Sequence, residues 1–157
     1  MSDKPKKKTV ADYPELVAQW HPTKNGDLRP EDVTAGSGKK VWWICSEGPD
    51  HEWPATVANR ALNGSGCAFC AGKRVSVTNS LASLFPSLAA EWHQTKNGDL
   101  TPQEVIARSN KKVWWKCTEG PDHEWPASPN GRTNGIGCPF CSGKRVSVTN
   151  SLATLRP

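Results

Sequence analysis

Residues 39–55 read KKVWWICSEGPDHEWPA, and residues 111–127 read KKVWWKCTEGPDHEWPA. This stretch decides the fold, because its near-verbatim return at an offset of 72 makes the 157-residue chain two copies of one small unit. Upstream, Pro14, Trp20 and the TKNGDL segment at Thr23 recur as Pro86, Trp92 and the segment at Thr95. Downstream the offset falls to 71: Arg60 lies seven residues before Cys67, and Arg132 six before Cys138. A length change at that point marks an exposed loop. VSVTNSLASLFP, ending at Pro86, recurs as VSVTNSLATLRP, ending at Pro157, where a third copy would begin. The expected organisation is a basic flexible tail over residues 1–8, one module over 9–79 and a second over 80–147. Residues 148–157 form either a C-terminal cap or the start of a truncated third repeat.

Units this small leave much of their surface exposed and commonly add a metal or disulfides to the apolar core. The six cysteines divide as three per repeat. An odd number cannot close into disulfides within a repeat. The chain starts with no apolar signal-peptide core and carries no long apolar run. An intracellular, reducing setting, cytoplasmic or nucleoid/nuclear, with metal-bound thiolates is therefore expected, and no membrane partner.

Each repeat offers four soft ligands: Cys45, His51, Cys67 and Cys70 in the first, Cys117, His123, Cys138 and Cys141 in the second. Structural zinc takes four sulfur or nitrogen ligands in a tetrahedron, and three cysteines with one histidine form such a set. The cofactor expected is zinc, two ions per chain. The glycine-preceded turns GCAFC and GCPFC have the shape of zinc knuckles. Val41–Cys45 and His51–Ala55 read as strands joined by the turn EGPD, which brings Cys45 and His51 to one metal.

Two catalytic readings compete. Asp-His-x-x-Pro carries the general-base histidine in HNH-type nucleases, whose separate structural zinc is held by two Cys-x2-Cys pairs. This chain has one such pair per repeat, so a catalytic His51 or His123 leaves zinc short of a ligand unless His21 or His93 supplies it. Those two histidines, in WHPT and WHQT, read as surface or helix-end residues. A zinc deaminase needs His-x-Glu and Pro-Cys-x-x-Cys. Here Glu52 and Glu124 are adjacent to the histidines, and Pro139 lies between the cysteines. No catalytic residues are assigned, and the chain is expected not to be an enzyme or to take a small-molecule substrate.

With VWWICSEGPDHEW, Arg60, GSGCAFC, the leader FPSLAAEWH and TKNGDLTPQEV in view, the chain resembles a family of small treble-clef or zinc-ribbon-like domains of unknown function found in tandem arrays. The resemblance covers nearly all of both repeats and implies that the eight cysteine and histidine positions are the zinc ligands. Some members of the family are joined to restriction-endonuclease-like domains, which points towards DNA. Two departures are Ala68, where the second knuckle has Pro139, and the diverged first leader VADYPELVAQW. The fold class expected is small zinc-stabilised α+β: two tandem zinc-ribbon or treble-clef-like modules, each a β-hairpin plus a zinc knuckle with a short leader helix.

The eight tryptophans, four per repeat, read as core rather than as a base-stacking platform. Alternation puts Trp43 on the face of Cys45 and Trp53 on the face of His51. Trp42 and Trp114 point away, towards the leader helix, where Leu16 and Trp20, or Leu88 and Trp92, share one face. Pro14 and Pro86 suit a first helical turn, and Thr101, Pro102 and Glu104 form a capping box.

The formal charge of +5 divides as +3 in residues 1–8, −1 in residues 9–80 and +3 in residues 81–157. Basic residues recur at fixed places: Lys39, Lys40, Arg60, Lys73 and Arg74 are matched by Lys111, Lys112, Arg132, Lys144 and Arg145. These ten positions are the expected phosphate contacts of a nucleic-acid-binding function, with DNA the favoured partner. The alternative is a zinc-stabilised protein–protein adaptor or structural subunit of a larger assembly, and an HNH-like nuclease stands third.

Overall fold

The structure, a computed structural model, describes residues 4–156. The first three residues of the basic tail, and Pro157 in the place where a third copy would begin, lie outside the described residues. The chain divides into two compact units, the first ending at Lys73 and the second beginning at Arg74. The division precedes the expected break after residue 79 because the intervening residues lead into the second unit's backbone pairing. Ala107 N–H donates to the Asn79 carbonyl at 2.9 Å, and Leu81 N–H to the Val105 carbonyl at 2.7 Å. The first unit closes the same way, Ala35 N–H donating to the Lys8 carbonyl at 2.9 Å, so the expected tail already meets the fold at Lys8.

In the first unit, β1 (Lys40–Ile44) and β2 (Glu52–Thr56) form an antiparallel hairpin with Trp43 opposite Trp53. Successive side chains alternate between faces, so Val41 and Trp43 enter the core while Trp42 and Ile44 stay half-buried on the other side. Helix α1 (Pro14–Ala18) starts on a proline, whose missing N–H costs nothing in a first turn, and α2 (Val57–Ala61) is capped by Thr56, whose hydroxyl accepts from Asn59 N–H. The second unit repeats the plan. It carries α3 (Leu81–Leu84), α4 (Pro86–Ala89), the hairpin β3 (Val113–Lys116) and β4 (Glu124–Ala127), α5 (Pro129–Thr133) and a last turn, α6 (Leu152–Leu155). The capping box stands at Thr101, whose N–H donates to the Glu104 carboxylate at 2.9 Å, and Asp32 plays Glu104's part for Arg29.

The leader differs from the expected helix. Helices α1 and α4 stop at Ala18 and Ala89, short of Trp20 and Trp92. Trp20 makes a β-bridge to Trp43, and Trp92 to Trp115, with Ile44 N–H donating to the Gln19 carbonyl at 2.8 Å. Trp20 thereby meets Trp43 edge to face, ring centroids 5.5 Å apart. Trp42 and Trp114 are half-buried. The TKNGD turn folds over them: Asn25 exchanges hydrogen bonds with the Trp42 backbone at 2.7 and 2.9 Å, and Lys24 Nζ sits 4.4 Å from the Trp42 ring centroid. Lys96 covers Trp114 at the same distance of 4.4 Å. None of the eight tryptophans is exposed, so together they form core and its margin. The length-variable loop at 62–66 is exposed throughout. Among the described residues no helix is long and apolar enough to cross a membrane.

Candidate metal centre

The hairpin and the knuckle converge on one point in each module. Cys45 follows β1 and His51 precedes β2, still paired through Cys45 N–H to the His51 carbonyl at 3.0 Å. Cys67 and Cys70 sit on a turn closed by Ala71 N–H to the Cys67 carbonyl at 3.0 Å, and Gly72, at φ 71°, takes the left-handed conformation that ends it without a Cβ clash. Cys45 Sγ is 3.7 Å from Cys70 Sγ, and His51 Nδ1 is 3.6 Å from both Cys67 Sγ and Cys70 Sγ. In the second module Cys117 and Cys141 are 3.6 Å apart, and His123 Nδ1 lies 3.6 Å from Cys138 and 3.5 Å from Cys141.

These separations identify the group that fits. Zn–S bonds of about 2.3 Å and Zn–N bonds of about 2.0–2.1 Å, set at tetrahedral angles, hold ligand atoms about 3.5–3.8 Å apart. All four ligand atoms in each set lie within 4.8 Å of one another. The donors are too far apart for a disulfide, which needs about 2.05 Å. The thiols are also electrostatically frustrated: desolvation, then the contacts with Cys45 and Cys67, push Cys70 up to about 12, and Cys141 is pushed up to about 12 in the same way. A divalent cation removes that penalty by binding the thiolates.

Three thiolates and a neutral histidine around Zn²⁺ leave one net negative charge, and an arginine stands beside it. Burial lowers the Arg60 pKa, while the charges of Cys67 and Cys45 oppose that shift. Phe69, inside the knuckle, stacks on His51 with centroids 5.0 Å apart and planes 13° from parallel, and Phe140 stacks on His123 at 5.1 Å and 15°. The aromatic residue of the knuckle thus fixes the ring plane of the ligand, a role the Cys-x2-Cys spacing alone did not reveal.

His21 and His93, read from sequence as surface or helix-end residues, are buried. His21 Nδ1 accepts from Thr23 N–H at 3.2 Å and Lys24 N–H at 3.0 Å, which leaves the ring proton on Nε2, 3.2 Å from Glu52 Oε1. His93 Nε2 faces Glu124 Oε1 at 3.0 Å, and Lys96 Nζ reaches Glu124 Oε2 at 2.7 Å. Lys96 first and His93 second hold the Glu124 carboxyl at about 2, and the Glu52 carboxyl is lowered by Lys24 and His21 in the same order. These groups pin the TKNGD turn to the hairpin, and neither histidine is among the metal-ligand sets.

The expected phosphate contacts separate into two groups. Lys39, Lys40, Lys73, Arg74, Lys111, Lys112, Lys144 and Arg145 are exposed. Arg60 and Arg132 are buried, and that expectation is corrected. Arg60 donates to the Ser65 carbonyl and to Gln19 Oε1, while Arg132 donates to the Ile136 carbonyl at 2.9 Å and pairs with Glu91. A guanidinium with both ends committed inside the fold is not displayed to a phosphate. In the fold Arg60 lies over Trp43 and Trp53, and Arg132 over Trp115 and Trp125, where a planar cation stacks well.

Two hairpin-plus-knuckle units, each with a Cys3His set, define a tandem treble-clef type of zinc module. The family model for the probable treble clef zinc finger domain matches residues 16–73 and 88–144, well over half of the chain, and the chain belongs to that family. No curated protein matches it.

Proposed function

We propose that the chain is a non-enzymatic, zinc-stabilised nucleic-acid-binding protein that grips phosphates through basic pairs repeated in both modules. The observation that carries this reading is the exposure of Lys39 with Lys40, Lys73 with Arg74, and their counterparts Lys111 with Lys112 and Lys144 with Arg145. The pairs stand at the head of each hairpin and just after each knuckle, so both repeats carry exposed cations at the same two places along the chain. Duplex DNA, with one charge per about 1.7 Å of axis, is the favoured partner. Because the tryptophans are covered, the interaction rests on the backbone rather than on base stacking, and weak sequence preference follows. Zinc serves the fold: three cysteines and one histidine fill a tetrahedron and leave no position for water or substrate.

The test is a salt series. Each neutralised phosphate contributes a slope of about 0.9 in log affinity against log salt on duplex DNA. Lys111→Ala with Lys112→Ala is expected to weaken binding alike across sequences and to flatten the slope by roughly one to two units. A wild type without salt-dependent binding at low ionic strength, or double variants that bind like it, overturns the reading. A protein partner is then the better one, favoured by the exposed apolar side chains Val146, Val148, Leu152 and Leu155.

A further inference from the structure

His123 turns Nδ1 to the sulfurs, so the ring proton belongs on Nε2. That nitrogen ends among hydroxyls that come after the last ligand in sequence: Ser147 Oγ and Thr149 Oγ1, each at 2.9 Å. Ser147 Oγ donates in turn to Asp122 Oδ1 at 2.7 Å, and Val148 N–H donates to Asp122 Oδ2 at 3.0 Å. The direction of this relay is set by its end. An ionised carboxylate only accepts, so the Ser147 hydroxyl proton points at Asp122, and its lone pairs receive Thr149 N–H at 3.0 Å and His123 Nε2–H, a single proton shared with Thr149 Oγ1.

The segment is itself fastened. Asn150 accepts from Ser147 N–H at 2.8 Å and donates to the Phe140 and Arg145 carbonyls at 2.9 and 3.0 Å, tying it back to the knuckle. Its approach to the histidine depends on Gly120: a Cβ there would stand 2.6 Å from His123 Cδ2 and Nε2 and 2.9 Å from Thr149 Cγ2. Ser147 is buried, as is His123. All three hydroxyl-bearing and clamping residues lie beyond residue 144, where the family match ends.

We propose that Asp122, Ser147 and Thr149 are the outer shell of the second metal centre, positioning residues that hold His123 with Nδ1 towards the metal, and that metal binding reciprocally orders residues 146–150. The second half follows from linkage, since a contact that strengthens metal binding is strengthened by it to the same extent. The proposal concerns the ion alone and stands apart from the nucleic-acid reading.

The experiment uses the full zinc-loaded chain. Loading of each site is followed by the ring resonances of His51 and His123 in competition with a chelator, so that the first site is the internal reference. Ser147→Ala with Thr149→Val is expected to lower zinc affinity at the second site roughly 10- to 100-fold, and to leave the first unchanged. Cobalt substitution is expected to keep its three-sulfur, one-nitrogen spectrum, because the ligands themselves are untouched. In the wild type, the His123 Nε2 proton is expected to be visible and slow to exchange, and residues 146–150 to lose amide protection when the metal is removed. Should the double variant fail to fold, the wild-type measurement decides alone. An unprotected Nε2 proton, coordination through Nε2, or equal affinity in a folded double variant each overturns the proposal.

Discussion

Arg132 lies over Trp115, its guanidinium carbon 5.0 Å from the ring centroid, and 5.2 Å from that of Trp125. Arg60 stands likewise 5.0 Å from Trp43 and 5.3 Å from Trp53. In both modules the arginine joins three parts far apart in sequence: the leader through Glu91 or Gln19, the hairpin through its tryptophans, and the pre-knuckle loop through the Ile136 or Ser65 carbonyl. A planar fork performs all three tasks at once, which a compact ammonium does not.

Arg132→Lys keeps the charge and loses the fork, so the zinc-loaded second module is expected to lose roughly 2–3 kcal/mol of stability, the scale of hydrogen bonds to a charged group. Denaturant unfolding followed by tryptophan fluorescence measures it. The salt slope for nucleic-acid binding by the folded variant is expected to stay unchanged. A variant of native stability with a flatter slope would return Arg132 to the phosphate contacts.

Metal removal is expected to unfold both modules. Apparent binding energies of roughly 10–16 kcal/mol for structural zinc exceed what so small a core supplies, so the ion and the fold are coupled. Atomic absorption is expected to find two zinc ions per chain, and chelation to abolish near-ultraviolet tryptophan dichroism as they leave. A metal-free protein with an intact cooperative melt would contradict the coupling.

The hairpin, the knuckle and the eight metal ligands were legible because each depends on local spacing, repeated twice. The burial of Trp43 and the half-exposure of Trp42 follow from strand alternation in the same way. What spacing did not reveal is contact between distant segments. Trp20 reads as a helix residue because Leu16 lies four before it, yet its neighbours pair with the hairpin, His21 N–H donating to the Trp42 carbonyl at 3.1 Å and Ile44 N–H to the Gln19 carbonyl at 2.8 Å. His21 reads as surface because nothing near it in sequence shows that Glu52, 31 residues on, will face it. Arg60 and Arg132 read alongside the lysine pairs because charge alone does not distinguish a stacked guanidinium from a displayed one. Ser147 and Thr149 recur at constant distance after both knuckles, at Ser76 and Thr78, and that regularity was the available sign of a role beyond linking repeats.

The cluster around Glu124 makes a prediction about pH. Its carboxyl sits at about 2 against an ordinary 4.5, held down by Lys96 and then His93. A depressed acid contributes stability that is complete above its unfolded value and disappears as pH falls through the folded one, here between 4.5 and about 2. Throughout the neutral range, where zinc stays bound, the carboxyl therefore stays ionised and faces Lys96 and His93. Glu124→Gln is expected to melt at lower temperature than the wild type at pH about 7 to about 8. A variant that melts with the wild type there would show that these contacts do not hold the turn to the hairpin.

Exposure of the ligands is uneven, and this sets the order in which they react. Cys70 and Cys141 are exposed, Cys138 is partly covered, and Cys45, Cys67 and Cys117 are buried. A thiolate held on zinc keeps nucleophilic character, so access decides which sulfur an alkylating reagent meets first. Loss of one ligand then leaves three, the tetrahedron opens, and the remaining thiols become reachable. With limiting iodoacetamide on the zinc-loaded chain, singly modified protein is expected to carry its label at Cys70 or Cys141, and zinc release to follow that first modification rather than precede it. Peptide mapping by mass spectrometry, with a zinc-sensitive dye recording release, separates the steps. First labels at Cys45 or Cys117 would mean that the modules open before they react, and the rigid Cys3His site described above would then be the wrong account of the resting state.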